Sequence, residues 1–378
     1  MKKILVNSFD IISPLGSGAE NNFDQMLLGN SGVKEYNDSN ISNVPVWVSR
    51  INYSFADKNI LDGYSRYEQL LVTSIKSAQK KSSIDISSKE TLFVFSTTKG
   101  SISMLETEEE NPGLNERINL FQSASLVTSF FNNSNTPVVI SNACTSGIVA
   151  LIYAKRLLNS GSYKNIVVAG ADTISKFVYS GFESFQALSP GPCHPFSENR
   201  DGINLGEAGA TIILTTDDSK SSGNQMYMLE GSISNDSNHI SGPSRTGEEL
   251  STVINKALSL SGLTAGDIDF VSAHGTATPY NDEMEAKAFH LSGLEATPVN
   301  SMKGYFGHTL GAAGLVESVI CLQSLLKNTA VASLGFQEPG VSPSLNIIKS
   351  TLYKNMKYCL KTASGFGGCN AAVIFSKN

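Results

Sequence analysis

Pro137-Val-Val-Ile-Ser-Asn-Ala-Cys-Thr-Ser-Gly147 runs directly into Ile148-Val-Ala-Leu-Ile-Tyr-Ala-Lys-Arg-Leu-Leu158. Residues 137–140 are apolar and mostly β-branched, which reads as a short buried strand. Residues 148–158 carry apolar side chains on most faces of a helical period, which reads as a buried helix. A buried strand feeding a buried helix is the repeating unit of α/β architecture. Cys144 falls at the corner between them. Unpaired N–H groups and the positive end of the helix dipole gather at such a corner, and both favour thiolate, the nucleophilic form. Thr145-Ser-Gly147 is small enough to let a substrate carbonyl approach the backbone. On this segment alone the residue reads more readily as an inert buried cysteine, a common fate of free thiols.

The same alternation continues on both sides. Strands are expected at Ile4 to Ile12, Thr91 to Ser96, Asn165 to Gly170, Ala208 to Thr215, Ile268 to Ala273, Thr297 to Asn300 and Ala371 to Phe375. Helices are expected at Asn21 to Leu28, Arg66 to Lys80, Asn115 to Phe131, Glu248 to Leu260, Asp282 to Phe289 and Gly311 to Leu326. Lys34 to Phe55 reads as polar and irregular. The strands are nearly continuous hydrophobes, so the class is α/β with parallel-rich sheets covered on both faces. Thr216 to Gln225, rich in Asp, Ser and Gly, is the most linker-like stretch. It divides the chain into halves at 1–220 and 221–378; periodicity alone does not decide whether one half duplicates the other.

The formal net charge of −6 over 378 residues argues against a general nucleic-acid binder. The five cysteines are widely spaced, without a CxxC pair, which argues against a disulfide framework or a metal site and for a reducing, cytoplasmic setting. The basic, then apolar N-terminus is interrupted by Asn7, Ser8 and Asp10 and reads as a first strand, not a signal peptide. No run reads as a membrane span.

Three further motifs carry chemistry. Asp269-Phe-Val-Ser-Ala-His274-Gly-Thr-Ala-Thr278 puts a histidine directly after a buried strand, where α/β sheets bind ligands. Thr276 and Thr278 add hydroxyls, and Asp282 and Glu285 follow at a helix start. Asn300-Ser-Met-Lys303-Gly-Tyr-Phe-Gly-His308 repeats the arrangement and leads into a small-residue helix, Gly311-Ala-Ala-Gly-Leu-Val-Glu317. Gly and Ala there permit close packing, so Glu317 is an internal carboxylate in need of a partner, with Lys303 the natural candidate. Ser364-Gly-Phe-Gly-Gly-Cys-Asn370 is a glycine-rich loop before the last strand. No GK[ST] follows it, which speaks against a P-loop, and its N–H groups suit an oxyanion. One thiol, two imidazoles and such a loop form a set for acyl-thioester chemistry.

With these motifs in view, the chain resembles the β-ketoacyl-acyl-carrier-protein synthases, the Cys-His-His condensing enzymes of the thiolase superfamily. The resemblance rests on Ser13-Pro-Leu-Gly16, Asn142-Ala-Cys-Thr-Ser-Gly147, Pro195-Phe-Ser-Glu-Asn-Arg-Asp-Gly202, Leu205-Gly-Glu-Ala-Gly209, the two histidine motifs and Gly365-Phe-Gly-Gly368. It implies a thiolase-like αβαβα five-layer fold of two similar halves, and a dimer, either homodimeric or with a related ketosynthase subunit. It implies that Cys144 takes an acyl chain from the phosphopantetheine of acyl carrier protein, with no permanently bound cofactor and no metal. His274 and His308 then assist decarboxylation of malonyl carrier protein, whose carbanion attacks the acyl group and lengthens it by two carbons. The resemblance makes Lys303 and Glu317 the family's active-site pair, and Asp282 and Glu285 its supporting acids. It places Thr276, Thr278 and Ser241 along the pantetheine tunnel, the last within Asp236-Ser-Asn-His239-Ile-Ser241. The N–H groups of Cys144 and Phe366 become the oxyanion hole, with Phe366 as the acyl gate. Ser364 stands where the family usually has a first phenylalanine, and Cys369 where it usually has threonine. The wording around Cys144 and His274 looks more like specialised synthases from bacterial polyene-pigment clusters than housekeeping ones. A non-catalytic chain-length-factor-like partner is the alternative, against which stand the retained thiol and both histidines. A degradative thiolase would lack the His-Gly-Thr motif in this form.

Overall fold

The computed structural model describes residues 3–52, 62–109, 111–220, 225–238 and 240–378. His239 and Phe55 lie outside these. Among the described residues, ten strands build the main sheet: β1 (Ile4–Ser13), β2 (Thr91–Ser96), β3 (Val138–Ile140), β4 (Asn165–Asp172), β5 (Ala208–Thr215), β6 (Met226–Asn235), β7 (Phe270–Ser272), β8 (Val299–Asn300), β9 (Tyr358–Gly365) and β10 (Cys369–Lys377). An eleventh, Gly16–Ser17, only folds back on β1. The helices that cover them are α1 (Arg66–Lys80), α2 (Leu120–Phe130), α3 (Ser146–Ser160), α4 (Lys176–Ser184), α5 (Glu248–Ser261), α6 (Pro279–Leu291) and α7 (Ala313–Lys327).

The strand order β3-β2-β4-β5-β1-β6-β10-β9-β7-β8 contains a duplication. The first five strands lie in the order third, second, fourth, fifth, first. Strands β6 to β10 lie in the same order, mirrored outward from the β1–β6 junction. Pairing repeats as well. β3/β2/β4 and β8/β7/β9 are parallel, whereas β4/β5/β1 and β9/β10/β6 are antiparallel. The sheet is therefore parallel only toward its two ends, not parallel-rich throughout. Chemical character alone misleads here, because a strand buried on both faces is hydrophobic whatever the direction of its neighbours.

Alternation along the strands explains the layers. Leu92 and Val94 of β2 face a central core, Phe93 and Phe95 an outer one. Val373 and Phe375 of β10 join that same central core, while Ala372 and Ile374 join a third. Each strand thus has two apolar faces, one per layer. α3 and α7 form the central layer and pack on strands of both halves, with α1 and α2 outside the first half and α5 and α6 outside the second. This is the five-layer αβαβα arrangement.

α3 and α7 meet through glycine. A Cβ on Gly147 would lie 2.6 Å from Leu315 N, and one on Gly314 would lie 2.7 Å from Ile148 Cγ1. Leu310–Lys327 is long and apolar enough to span a membrane, but 89% of it is buried inside the protein, as a helix of the core.

Local readings differ in several places: strands β6 and β9 and helix α4 were not expected from the sequence. The segment expected to be irregular holds strands Val33–Tyr36 and Val46–Ser49, whose Val46 and Val48 are buried beside Leu205. The helix expected over 115–131 is two, Pro112–Arg117 and α2, because the Asn119 side chain caps Phe121 N–H and restarts it. The glycine-rich stretch at 364–370 is the tip of a long hairpin, in which Gly365 pairs with Cys369.

Candidate active site

Cys144 sits on a forced turn. β3 ends at Ile140, α3 begins at Ser146, and Ala143 between them has φ of 46°. The Ser146 hydroxyl ties the turn by donating to Ala143 O at 2.6 Å and accepting from Asn142 N–H at 2.8 Å. That left-handed residue turns the chain sharply enough to aim the thiol away from the sheet.

The two histidines arrive from the other half. β7 ends one residue before Ala273, and His274 follows. The Glu285 carboxylate, on α6, accepts N–H bonds from His274 at 2.7 Å and Gly275 at 2.6 Å. Asp282, one turn earlier, accepts from Thr276 N at 2.9 Å and Phe196 N at 2.7 Å. The acidic pair thus holds the backbone of the His274 loop and does not face the cavity. His308 is gripped from the first half, its N–H donating to Asn204 O at 2.6 Å while its carbonyl accepts from Gly206 N at 3.0 Å. Gly206 permits that approach: a Cβ there would lie 2.0 Å from Phe306 O.

His308 Nε2 lies 2.9 Å from Cys144 Sγ, and the two imidazole rings are 5.1 Å apart and nearly perpendicular. All three side chains are buried. They open on a cavity of about 490 Å³ whose lining includes Thr276, Thr278, Ser241 and Phe366. The Thr276 and Thr278 hydroxyls are 2.8 Å apart. Phe366 stacks on Phe182 with centroids 5.7 Å apart, and Phe185 meets its edge at 5.3 Å.

Protonation departs from the sequence expectation. Burial pushes the Cys144 thiol up to about 12, against a smaller downward pull from Lys303. The resting group is a thiol, not a thiolate, because desolvation of the sulfur outweighs the nearby helix end. Both imidazoles are held well below the usual histidine value, first by burial and then by Lys303. They are neutral at pH 7.

Behind them lies a buried ionic cluster. The Lys303 ammonium donates to His274 O at 2.9 Å and contacts Glu317 Oε1. Lys361, absent from the sequence reading, pairs with Glu317 Oε2 at 2.7 Å. A lysine within the apolar run of β9 is the signal that could have revealed it. Asp172 was equally missed. It accepts from Thr97 Oγ1 at 2.8 Å and Gly311 N at 2.7 Å, tying the first half to the start of α7, and burial raises it to about 6. The Cys144, His274 and His308 ligating atoms all lie within 4.8 Å of one another, a spacing that would suit a soft metal. The cationic Lys303 and Lys361, which both bear on the imidazoles, oppose a divalent ion there.

The two departures from the family pattern are accounted for locally. Ser364 donates to Asn370 Oδ1 at 2.8 Å across the hairpin, and Cys369 lies 2.9 Å from Asn142 Oδ1. Both tie the hairpin tip, one within itself and one to the Cys144 turn.

The chain belongs to the β-ketoacyl synthase family. Its N-terminal domain matches residues 58–219 and its C-terminal domain residues 227–337. A putative mitochondrial 3-oxoacyl-[acyl-carrier-protein] synthase of Schizosaccharomyces pombe is 26% identical, over all of this chain and 99% of the relative. 3-Oxoacyl-[acyl-carrier-protein] synthase 2 of Vibrio cholerae is 24% identical, with the same coverage. Among solved structures, the ishigamide ketosynthase/chain length factor superposes with a TM-score of 0.91 at 22% identity, covering 99% of both chains. The ketosynthase ApeO in complex with its chain length factor ApeC, from Xenorhabdus doucetiae, gives 0.90 at 23%, covering 100% of this chain and 98% of that one.

Proposed function

We propose that the chain is a 3-oxoacyl-[acyl-carrier-protein] synthase, joining an acyl group on Cys144 to a malonyl unit on carrier protein with loss of CO2. The observation that carries this reading is the 2.9 Å approach of His308 Nε2 to Cys144 Sγ, with His274 facing the same cavity. In the first half-reaction the Cys144 thiol passes its proton to His308 as sulfur attacks the acyl thioester carbonyl. The N–H groups of Cys144 and Phe366 hold the developing oxyanion. The pantetheine thiolate leaves with the proton. In the second, the malonyl carboxylate departs as CO2 while His274 and His308 donate to the thioester oxygen, holding the electron pair as an enolate. That carbon attacks the acyl-Cys144 carbonyl, and the sulfur leaves and is reprotonated by a proton taken from solvent through His308. Neutral imidazoles suit this role, since they can both accept and donate.

Residues 1–220 then supply the nucleophile and residues 221–378 both imidazoles. Pantetheine enters past Thr276, Thr278 and Ser241. Substrates are carried by acyl carrier protein, and no resident cofactor is required. The active form is a dimer, with itself or with a related subunit as in the two ketosynthase/chain length factor complexes. Intact-mass measurement after incubation with acyl carrier protein tests the reading. An acyl adduct on wild-type protein, absent from Cys144→Ala, supports it, and the mass of the adduct identifies chain length and unsaturation. No adduct, with partner subunit present, favours the non-catalytic alternative.

A further inference from the structure

The ionic cluster sets two cations against one carboxylate that touches both. Glu317 is the one carboxylate between two ammonium groups, Lys303 on Oε1 and Lys361 on Oε2, and all three side chains are buried. Lys303 has an evident place, since it also reaches the carbonyl of His274. Lys361 is harder to explain as packing. A buried Lys303–Glu317 pair is neutral by itself; a second cation adds a charge whose other counter-charge is Glu285, a carboxylate that feels Lys361 without an ion pair to it, and folding alone does not require that arrangement. Lys361 also donates to Ser272 O at 3.1 Å, Ala273 O at 2.9 Å and Thr362 O at 2.7 Å. Two of these carbonyls lead directly into His274.

We propose that Lys361 is a positioning residue of the condensation site, fixing the backbone ahead of His274 and adding positive charge behind both imidazoles that favours anionic intermediates. This rests on the function proposed above. The charge requirement belongs to the second half-reaction. There a carboxylate enters and an enolate forms beside His274 and His308, so a positive potential from behind them lowers the barrier. Acyl transfer to Cys144 begins and ends with neutral groups and needs it less. The charged groups that bear on the imidazoles are Lys303, from the short helix before the His308 loop, and Lys361 from β9, with His308 also acting on His274; Cys144 contacts His308, and Glu285 of α6 holds the His274 N–H. Of these, Lys303 and Lys361 depress both rings, after burial. Removing Lys361 lets both rise toward the ordinary value, so protonation disables them at a higher pH than in wild type.

Lys361→Met keeps the apolar stem and leaves Lys303 and Glu317 as a neutral pair, so the fold should persist. The experiment compares full-length wild type, Lys361→Met and Lys361→Arg, with melting temperature as the check on folding. It reads acylation of Cys144 from acyl carrier protein and CO2 release from malonyl carrier protein across pH. Expected for Lys361→Met are acylation within about threefold of wild type, decarboxylation slower by about tenfold or more, and an acid limb moved to higher pH. Lys361→Arg should keep the limb in place. A folded Lys361→Met with an unmoved profile and unchanged CO2 release overturns the proposal. Where Lys361→Met does not fold, Lys361→Arg decides: a wild-type limb supports the charge role, and a displaced limb overturns it. Wild-type protein that neither acylates nor decarboxylates overturns the proposed function instead.

Discussion

Cys144 is a buried thiol with a high pKa facing a neutral base, and this makes two behaviours measurable. Cys144→Ala should lose the acyl adduct and reduce condensation by about a thousandfold or more, since no other thiol lines the cavity among the described residues. Alkylation of the Cys144 peptide by iodoacetamide, followed by mass spectrometry, should keep rising beyond pH 9, the ordinary value, toward the raised value of about 12. A plateau at pH 7 would show a stable thiolate and contradict the burial argument. Both imidazoles are depressed, so they are neutral above an acid limb that lies below 6.5. The condensation rate should therefore stay level as pH falls to 6.5 and decline only on the acid side of it. A decline centred above 6.5 would mean protonated rings in the resting site.

At the scale of elements, the site depends on how closely α3 and α7 approach. They carry Cys144 at one tip and the end of the His308 loop at the other, and Gly147 and Gly314 set their separation. Gly147→Ala adds a methyl 2.6 Å from a backbone nitrogen that has little room to move. It should lower stability by about 1–3 kcal/mol, read as a urea midpoint, and slow condensation more than acyl-carrier-protein binding. The α6 carboxylates act similarly on the His274 loop. Asp282→Ala strands the N–H groups of Phe196 and Thr276, each donor worth about 1–3 kcal/mol when buried without a partner. A variant as stable as wild type would show that water replaces the carboxylate.

At the scale of the whole molecule, β3 is an edge strand whose three residues are only half-buried, and its outer side has no strand partner among the described residues. Apolar edges of this kind are covered in stable proteins. The proposed dimer is expected to form across this edge. The chain should sediment at twice its 40.3 kDa, alone or with its partner subunit, and Val139→Glu should yield a monomer that no longer condenses. A wild-type monomer with full activity would remove the dimer from the account.

The sequence by itself determined the local chemistry and its order. The Cys144 corner, the two histidine loops, the small-residue helix and most strands are short-range patterns, and period, glycine and β-branching suffice to read them. Tertiary structure alone decided what depends on residues far apart. The repeated strand order needs pairings that no local pattern encodes, and strand direction is invisible in a strand buried on both faces. Lys361 is separated by 44 positions from the carboxylate it pairs with, so its charge gains meaning only when β9 passes α7. The protonation of Cys144 was misjudged for the same reason: a helix tip is legible locally, but desolvation is set by everything that packs around it.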